Sequence, residues 1–201
     1  MIYNILKKSY YFIKYEILRF ESKRYVSNKL LKQFCKNITG NVLNIGSGDD
    51  NDKTGDYYKN YFKKSKTYTT LEYEEGQSDL VADIQSMPQI KDMSYDFIFC
   101  IWVLEHVENL DSALKEIYRI LSKNGEFLFA VPLDVPYHGY PRDYWRFSGP
   151  DVNEMLEKNN FKIIKLEKIG KDREILLDKR LNFYNQRVNN GPYGYVALAK
   201  K

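Results

Sequence analysis

Val42-Leu43-Asn44-Ile45-Gly46-Ser47-Gly48-Asp49-Asp50 is the stretch whose reading decides the fold. Four residues of alternating, mostly apolar character run into a Gly-Ser-Gly turn and then two acids. The pattern predicts a short buried strand ending in a tight turn, where the lack of a Cβ lets the backbone approach a ligand closely. A strand that breaks into a glycine turn near the start of an α/β domain is a nucleotide-site signal, weak when it stands alone.

Outward from that turn the chain alternates between strand and helix patterns. Residues 2–36 predict helix in two pieces, with Leu6, Tyr10, Ile13, Ile17 and Phe20 on one stripe at helical spacing. This N-terminal segment reads as a helical cap on the domain; a lid, a dimer contact or an anionic membrane surface are the alternative uses of its basic, apolar faces. Asp49–Lys64 reads as loop and irregular helix. Strands are predicted at 66–71, closing on Glu72, at 80–82, closing on Asp83, and at 95–100, where nearly all residues are apolar as in a parallel strand covered on both faces. A helix over 110–121 leads through Asn124-Gly125 into a strand at 126–131. Ser148 with Asp151 three residues on predicts a capping box for the next helix. A strand at 161–169, a helix at 172–187 and a last strand at 193–199 complete the chain. Alternation of this kind predicts a doubly wound, mostly parallel sheet, whose ligands bind at the carboxyl ends of the strands. Gly46–Gly48, Glu72 and Asp83 all stand at such ends, so three separate signals agree on one edge.

The 201 residues suit one α/β domain over 40–201, with residues 1–39 as the cap. Hydrophobic content of 43% and charged content of 29% are those of an ordinary globular protein. The net charge of +4 is unevenly placed: residues 1–40 hold nine Lys/Arg against two Glu, and the remainder 22 against 25. A neutral-to-acidic body with a basic arm argues against nucleic acid as a partner. Cys35 and Cys100 form no disulfide framework, and a reduced, cytoplasmic setting is expected. The apolar run 97–104 is far shorter than a membrane span needs. Neither the early lysines nor the residues after them form a secretory signal. Two histidines and two scattered cysteines show no metal-ligand spacing, so no metal is expected.

The ligand is narrowed by what the turn lacks. A phosphate-binding loop needs Gly-Lys-Ser/Thr after the glycines, and a dinucleotide loop needs a third glycine, where this chain has Asn51. Asp49 and Asp50 would repel phosphate and tolerate an ammonium or sulfonium, and Glu72 is placed to accept ribose hydroxyls. At this point residues 40–170 resemble the class I S-adenosylmethionine-dependent methyltransferases. The resemblance rests on Val42–Gly48, Glu72, Val81-Ala82-Asp83-Ile84, Tyr95–Cys100 followed by Val103-Leu104-Glu105-His106-Val107, and Ile120–Phe127. It implies S-adenosylmethionine as cofactor, S-adenosylhomocysteine as product, and a seven-stranded sheet whose last strand is antiparallel. It also implies cofactor contacts from Asn44, Gly46, Ser47, Gly48, Glu72, Asp83, Ile84, Cys100, Trp102 and His106. The family more often has an acid where this chain has Asn44.

The acceptor is sought in residues 134–147, the loop leaving the strand at 126–131. Asp134, Tyr137, His138, Tyr140, Arg142, Tyr144, Trp145 and Arg146 combine stacking surfaces with two guanidinium groups able to grip phosphate or carboxylate. An alcohol acceptor must lose a proton, and His138, Asp143 and His106 are the candidate bases. The stretch Tyr140–Phe147 resembles that of small bacterial methyltransferases of surface-polysaccharide biosynthesis. That resemblance implies O-methylation of a sugar or phosphate-linked group in capsule or lipopolysaccharide precursors, a small-molecule or glycan acceptor. A quinone, lipid or other small-molecule methyltransferase and a non-catalytic cofactor-binding module are the alternatives.

Overall fold

The computed structural model describes residues 6, 9, 10, 13, 23–46, 48–139, 142–170 and 192–201. Ser47, Tyr140 and the helix expected over 172–187 lie outside the described residues, as does most of the helix expected over 2–22. Leu6, Tyr10 and Ile13, three positions of the predicted stripe, are 64%, 57% and 49% exposed.

Helix α1 (Lys23–Cys35) precedes β1 (Asn41–Ile45). Then come a 3₁₀ turn at Tyr58–Tyr61, β2 (Thr67–Glu72) and the two-residue β3 (Leu80–Val81). Strand β4 (Tyr95–Ile101) leads into a 3₁₀ turn at Leu104–His106 and helix α2 (Leu110–Ile120). Strand β5 (Leu121–Pro132), helix α3 (Gly149–Lys158), β6 (Lys162–Ile169) and β7 (Gly194–Lys200) follow. The seven strands form one sheet in the order β3-β2-β1-β4-β5-β7-β6. β1 pairs in parallel with β2 and β4, and β4 with β5, whereas β7 is antiparallel to both β5 and β6. The doubly wound, mostly parallel sheet with an antiparallel last strand is the fold expected above.

Strand β4 shows why the sheet is central. Phe97 and Phe99 point to one face and Ile98 and Cys100 to the other, all essentially inaccessible to solvent. Phe99 meets Tyr58 and Phe62 edge-on, with ring centroids 5.1 and 5.2 Å apart. Leu31 and Cys35 of α1 cover the same face. Ile98 and Cys100 pack with Leu114, Ile117 and Leu156 from α2 and α3. Each fully buried residue of this size contributes about 1.5–3 kcal/mol through removal of apolar surface from water.

Helix starts follow local chemistry. Asn109 caps α2 by accepting from Ser112 N at 3.0 Å. Ser148 and Asp151 form the predicted capping box of α3. β5 begins five residues earlier than the sequence pattern indicates, because Leu121 pairs with Tyr95 ahead of a register irregularity. Asn124, at a φ of 66°, carries the turn within it.

Candidate active site

Gly46 ends β1 with a φ of 71°, and its N–H donates to Leu71 O of β2 at 2.9 Å. A Cβ on Gly46 would lie 2.2 Å from Val103 Cγ2, so Val103, two residues past the end of β4, closes down on the turn. Gly48, at a φ of 55°, has nothing within 4 Å of where its Cβ would stand. Its N–H donates to a carboxylate oxygen of Glu72, which joins the turn to the end of β2. Ala82 N donates to Glu72 O at 2.9 Å, bringing Asp83 alongside. Asp83 in turn accepts from Gln85 N at 2.8 Å.

These strand ends open on a cavity of about 580 Å³, within the range of small-molecule sites. Gly46, Gly48, Glu72, Asp83, Ile84, Trp102 and His106 line it, with Arg142 and Tyr144 from the loop after β5. Among the described residues, Glu72, Glu74, Asp83 and Glu108 set four carboxylates against the guanidinium of Arg142. That balance favours a cationic ligand over a pyrophosphate.

Other expected residues are placed elsewhere. Asn44 is 2% exposed, and its amide donates to Tyr68 OH at 2.8 Å and Asp50 Oδ1 at 3.1 Å. Asn44 therefore braces the turn from behind and is not among the cavity-lining residues. Asp50 also accepts from Tyr68 OH at 2.6 Å, and Asp49 pairs with Lys53 at 2.8 Å. The cavity's negative character thus comes from the acids at 72, 74, 83 and 108 rather than from the two behind the glycines. Cys100 is buried within β4, where burial pushes its thiol far above the usual range, and it too is absent from the wall.

The loop at 134–147 is pinned by its backbone. Tyr144 N donates to Glu105 O at 2.8 Å, Phe147 N to Pro132 O at 2.8 Å, and Trp145 Nε1 to Val107 O at 2.7 Å. Arg146 grips Asp143 with both terminal nitrogens, one contact at 2.6 Å, and its Nε donates to Val135 O at 2.9 Å. Asp143 also accepts from His138 N at 2.9 Å. The Arg146 guanidinium holds the Asp143 carboxyl well below the usual carboxylate range. A carboxylate so stabilised takes up a proton poorly, which corrects the expectation of Asp143 as a base. Trp145 and Arg146 face a neighbouring groove lined by Asp111, Asp151 and Met155. Tyr137 is 74% exposed, and neither it nor Asp134, whose N–H donates to Tyr193 O at 3.1 Å, lines the first cavity.

Glu105 was not singled out by its sequence position and is the surprise of the site. It stands in the 3₁₀ turn after β4 with its side chain fully buried. Among the described residues, neither carboxylate oxygen has a hydrogen-bond partner. Burial, with a contribution from Asp143, raises its carboxyl to about 7. His106 Nε2 lies 4.0 Å and His138 Nε2 3.8 Å from Glu105 Oε1. The only local hint is an acid inside the apolar run Val103-Leu104-Glu105-His106-Val107.

The methyltransferase-domain family model matches residues 53–129. Among curated proteins, a sterol 4-C-methyltransferase of Caenorhabditis elegans is 39% identical over 49 residues, which are 24% of this chain and 14% of that protein. The chain therefore matches well under two thirds of that relative's length. An S-adenosylmethionine-dependent methyltransferase of Mesorhizobium loti superposes with a TM-score of 0.63 at 13% identity, covering 88% of this chain and 98% of the other. One from Archaeoglobus fulgidus gives 0.59 at 19% identity, covering 96% and 100%. The 1,6-didemethyltoxoflavin-N1-methyltransferase of Burkholderia thailandensis, solved with bound S-adenosylhomocysteine, gives 0.60 at 16% identity, covering 99% and 88%. Residues 53–129 thus match a methyltransferase-domain model, and the sheet has the class I methyltransferase fold.

Proposed function

We propose that this protein is an S-adenosylmethionine-dependent methyltransferase that O-methylates a sugar or phosphate-linked group in surface-polysaccharide biosynthesis. The observation that carries this is one continuous cavity, with glycine turn, Glu72 and Asp83 on its wall together with Arg142 and Tyr144. The residues present fit the cofactor: the space over Gly48 is open, and the four carboxylates suit a positively charged ligand. When bound, the cofactor supplies an electrophilic methyl group on a positively charged sulfur.

The chain's own residues have distinct tasks. Glu72, fixed by the Gly48 N–H, accepts the ribose hydroxyls, Asp83 and Ile84 hold the adenine, and Gly46–Gly48 admit the methionine part. Arg142 grips an anionic group of the acceptor and Tyr144 offers a stacking face. Holding donor and acceptor in line supplies most of the rate enhancement in such a reaction. His106 and His138 are the groups that deal with the acceptor's proton, since Asp143 is committed to Arg146. The acceptor is a small molecule or glycan fragment, the setting cytoplasmic, and residues 1–39 the N-terminal cap of the domain. No helix among the described residues is long and apolar enough to cross a membrane.

Calorimetry with S-adenosylmethionine tests the cofactor assignment, and absence of binding at millimolar cofactor would refute it. A methyl-transfer screen over nucleotide sugars and capsule fragments tests the acceptor class. Binding without transfer to any of them would favour a non-catalytic module or another acceptor chemistry.

A further inference from the structure

Glu105, His106 and His138 come together from the 3₁₀ turn after β4 and the loop after β5. The geometry identifies which of their atoms carry protons. His106 Nδ1 lies 2.5 Å from Arg142 O. His138 Nδ1 lies 3.0 Å from Pro136 O and 3.3 Å from Asp143 Oδ2. A carbonyl oxygen only accepts, so Nδ1 of each ring is the protonated nitrogen. In the neutral rings, Nε2 of both histidines therefore presents a lone pair toward Glu105. At 3.8 and 4.0 Å the two Nε2–Oε1 separations are too long for hydrogen bonds.

Three electron-pair donors thus converge, one of them a fully buried carboxylate with no donor on either oxygen. Left alone, that arrangement is costly, because a buried charge needs a counter-charge or full hydrogen bonding. The nearest guanidinium in the loop, Arg146, is already neutralised by Asp143. Arg24 lies over the Trp102 ring at 5.5 Å and acts on Glu105 at a distance, without a hydrogen bond to its carboxylate. The ligand atoms all lie within 4.8 Å of one another. Ligands held about 2.0–2.2 Å from a common ion stand roughly 3.4 Å apart when tetrahedral. Small side-chain rotations close the difference. Imidazoles whose other N–H is held by a carbonyl are the usual arrangement at metal sites, where that bond fixes tautomer and ring orientation.

We propose that Glu105 and the Nε2 atoms of His106 and His138 bind a divalent transition-metal ion such as Zn²⁺. Two imidazoles and one carboxylate suit such an ion and leave coordination positions open. Of the three, His106 lies on the wall of the cavity of about 580 Å³ together with Arg142 and Tyr144, the end assigned to the acceptor. Resting on the methyl-transfer function proposed above, the ion there takes an acceptor hydroxyl as a further ligand. The O–H bond then breaks heterolytically: the electron pair stays on the metal-bound oxygen and the proton passes to solvent water. The histidines thereby act on the acceptor's proton through the ion instead of as free bases.

The test uses the full-length protein, stripped with a chelator and then titrated with Zn²⁺ by calorimetry and with Co²⁺ by visible absorption. The expected result is one ion per chain, with ligand-field bands from Co²⁺. Affinity should fall at least tenfold in Glu105→Gln and in His138→Ala, whose loop position spares the core. Circular dichroism confirms that each variant is folded. Absence of stoichiometric binding by the folded wild type, or Co²⁺ bands unchanged in His138→Ala, would overturn the site. Parallel titration with S-adenosylmethionine separates the two proposals. Cofactor binding without metal binding refutes the ion alone, and metal binding without cofactor binding refutes the methyltransferase function alone.

Discussion

The two glycines of the turn should fail in different ways when each is given a single methyl group. In Gly46→Ala the new Cβ meets Val103 Cγ2 at 2.2 Å, on a residue whose φ is 71°. The left-handed backbone costs a non-glycine residue about 1–2 kcal/mol, and overpacking against Val103 adds about 1–3 kcal/mol. The expected loss is therefore about 2–5 kcal/mol of unfolding free energy, read as a drop of roughly 4–20 °C in Tm for a chain of this size. Gly48→Ala carries the same backbone penalty with no clash, since nothing lies within 4 Å. It should cost only about 1–2 kcal/mol while placing its methyl group in the space assigned to the cofactor. Chemical denaturation measures the first effect and calorimetry with S-adenosylmethionine the second. Gly48→Ala should lose at least tenfold in affinity with a small loss of stability. A double-mutant cycle isolates the clash. Val103→Ala removes the atom that Gly46→Ala strikes, so the two should couple by about 1–3 kcal/mol. Strict additivity, or a Gly46→Ala no more damaging than Gly48→Ala, would refute the packing account of the turn.

Phe99→Ala, which removes a fully buried ring from between Tyr58 and Phe62, should cost about 3–5 kcal/mol in denaturant unfolding. Glu72→Gln keeps the size of the side chain but removes its charge, and calorimetry should show at least a tenfold weaker S-adenosylmethionine complex with little change in Tm. The Glu116 carboxyl is held below its ordinary value first by its hydrogen bonds with Arg119. Its folded-state pKa lies below that of the unfolded chain, so its contribution is present above about pH 4.3 and is lost as the pH falls through the lower folded value. Glu116→Gln should accordingly destabilise the protein at pH 7 and have a diminishing effect toward pH 3, followed by urea midpoints. An equal effect at both pH values would show that the charge of Glu116 contributes nothing.

Much of this molecule is legible along the chain because its elements are encoded by local period and local chemistry. The apolar run from Tyr95 to Ile101 can only be a strand covered on both faces, and β4 is such a strand. Ser148 and Asp151 state their helix start in four residues. The turn at 46–48, with acids closing the next two strands, marks one edge of one sheet, and Glu72 and Asp83 do meet at that edge. Legibility fails where a side chain's partner is remote in sequence. Asn44 stands in the middle of the decisive strand, yet its amide is used by Tyr68 and Asp50, on the side away from the cavity. In the loop, Arg142 and Arg146 look alike on paper. Arg142 reaches the cavity wall, and Arg146 is consumed by Asp143 and three carbonyls.

The sequence by itself determined the sheet, its mostly parallel order and the edge at which Gly46, Glu72 and Asp83 gather, because hydrophobic period and turn chemistry act over a few residues. Only the tertiary structure decided what gathers opposite that edge. Glu105 and His138 are separated by a helix, a strand and part of a loop, and no spacing rule relates them. They meet because main-chain bonds from Tyr144 to Glu105 and from Phe147 to Pro132 fold the loop back over the end of β4. Backbone N–H and C=O groups are the same in every residue, so a chain path set by them leaves no signature in the side-chain pattern. What it leaves is a buried carboxylate facing two imidazoles.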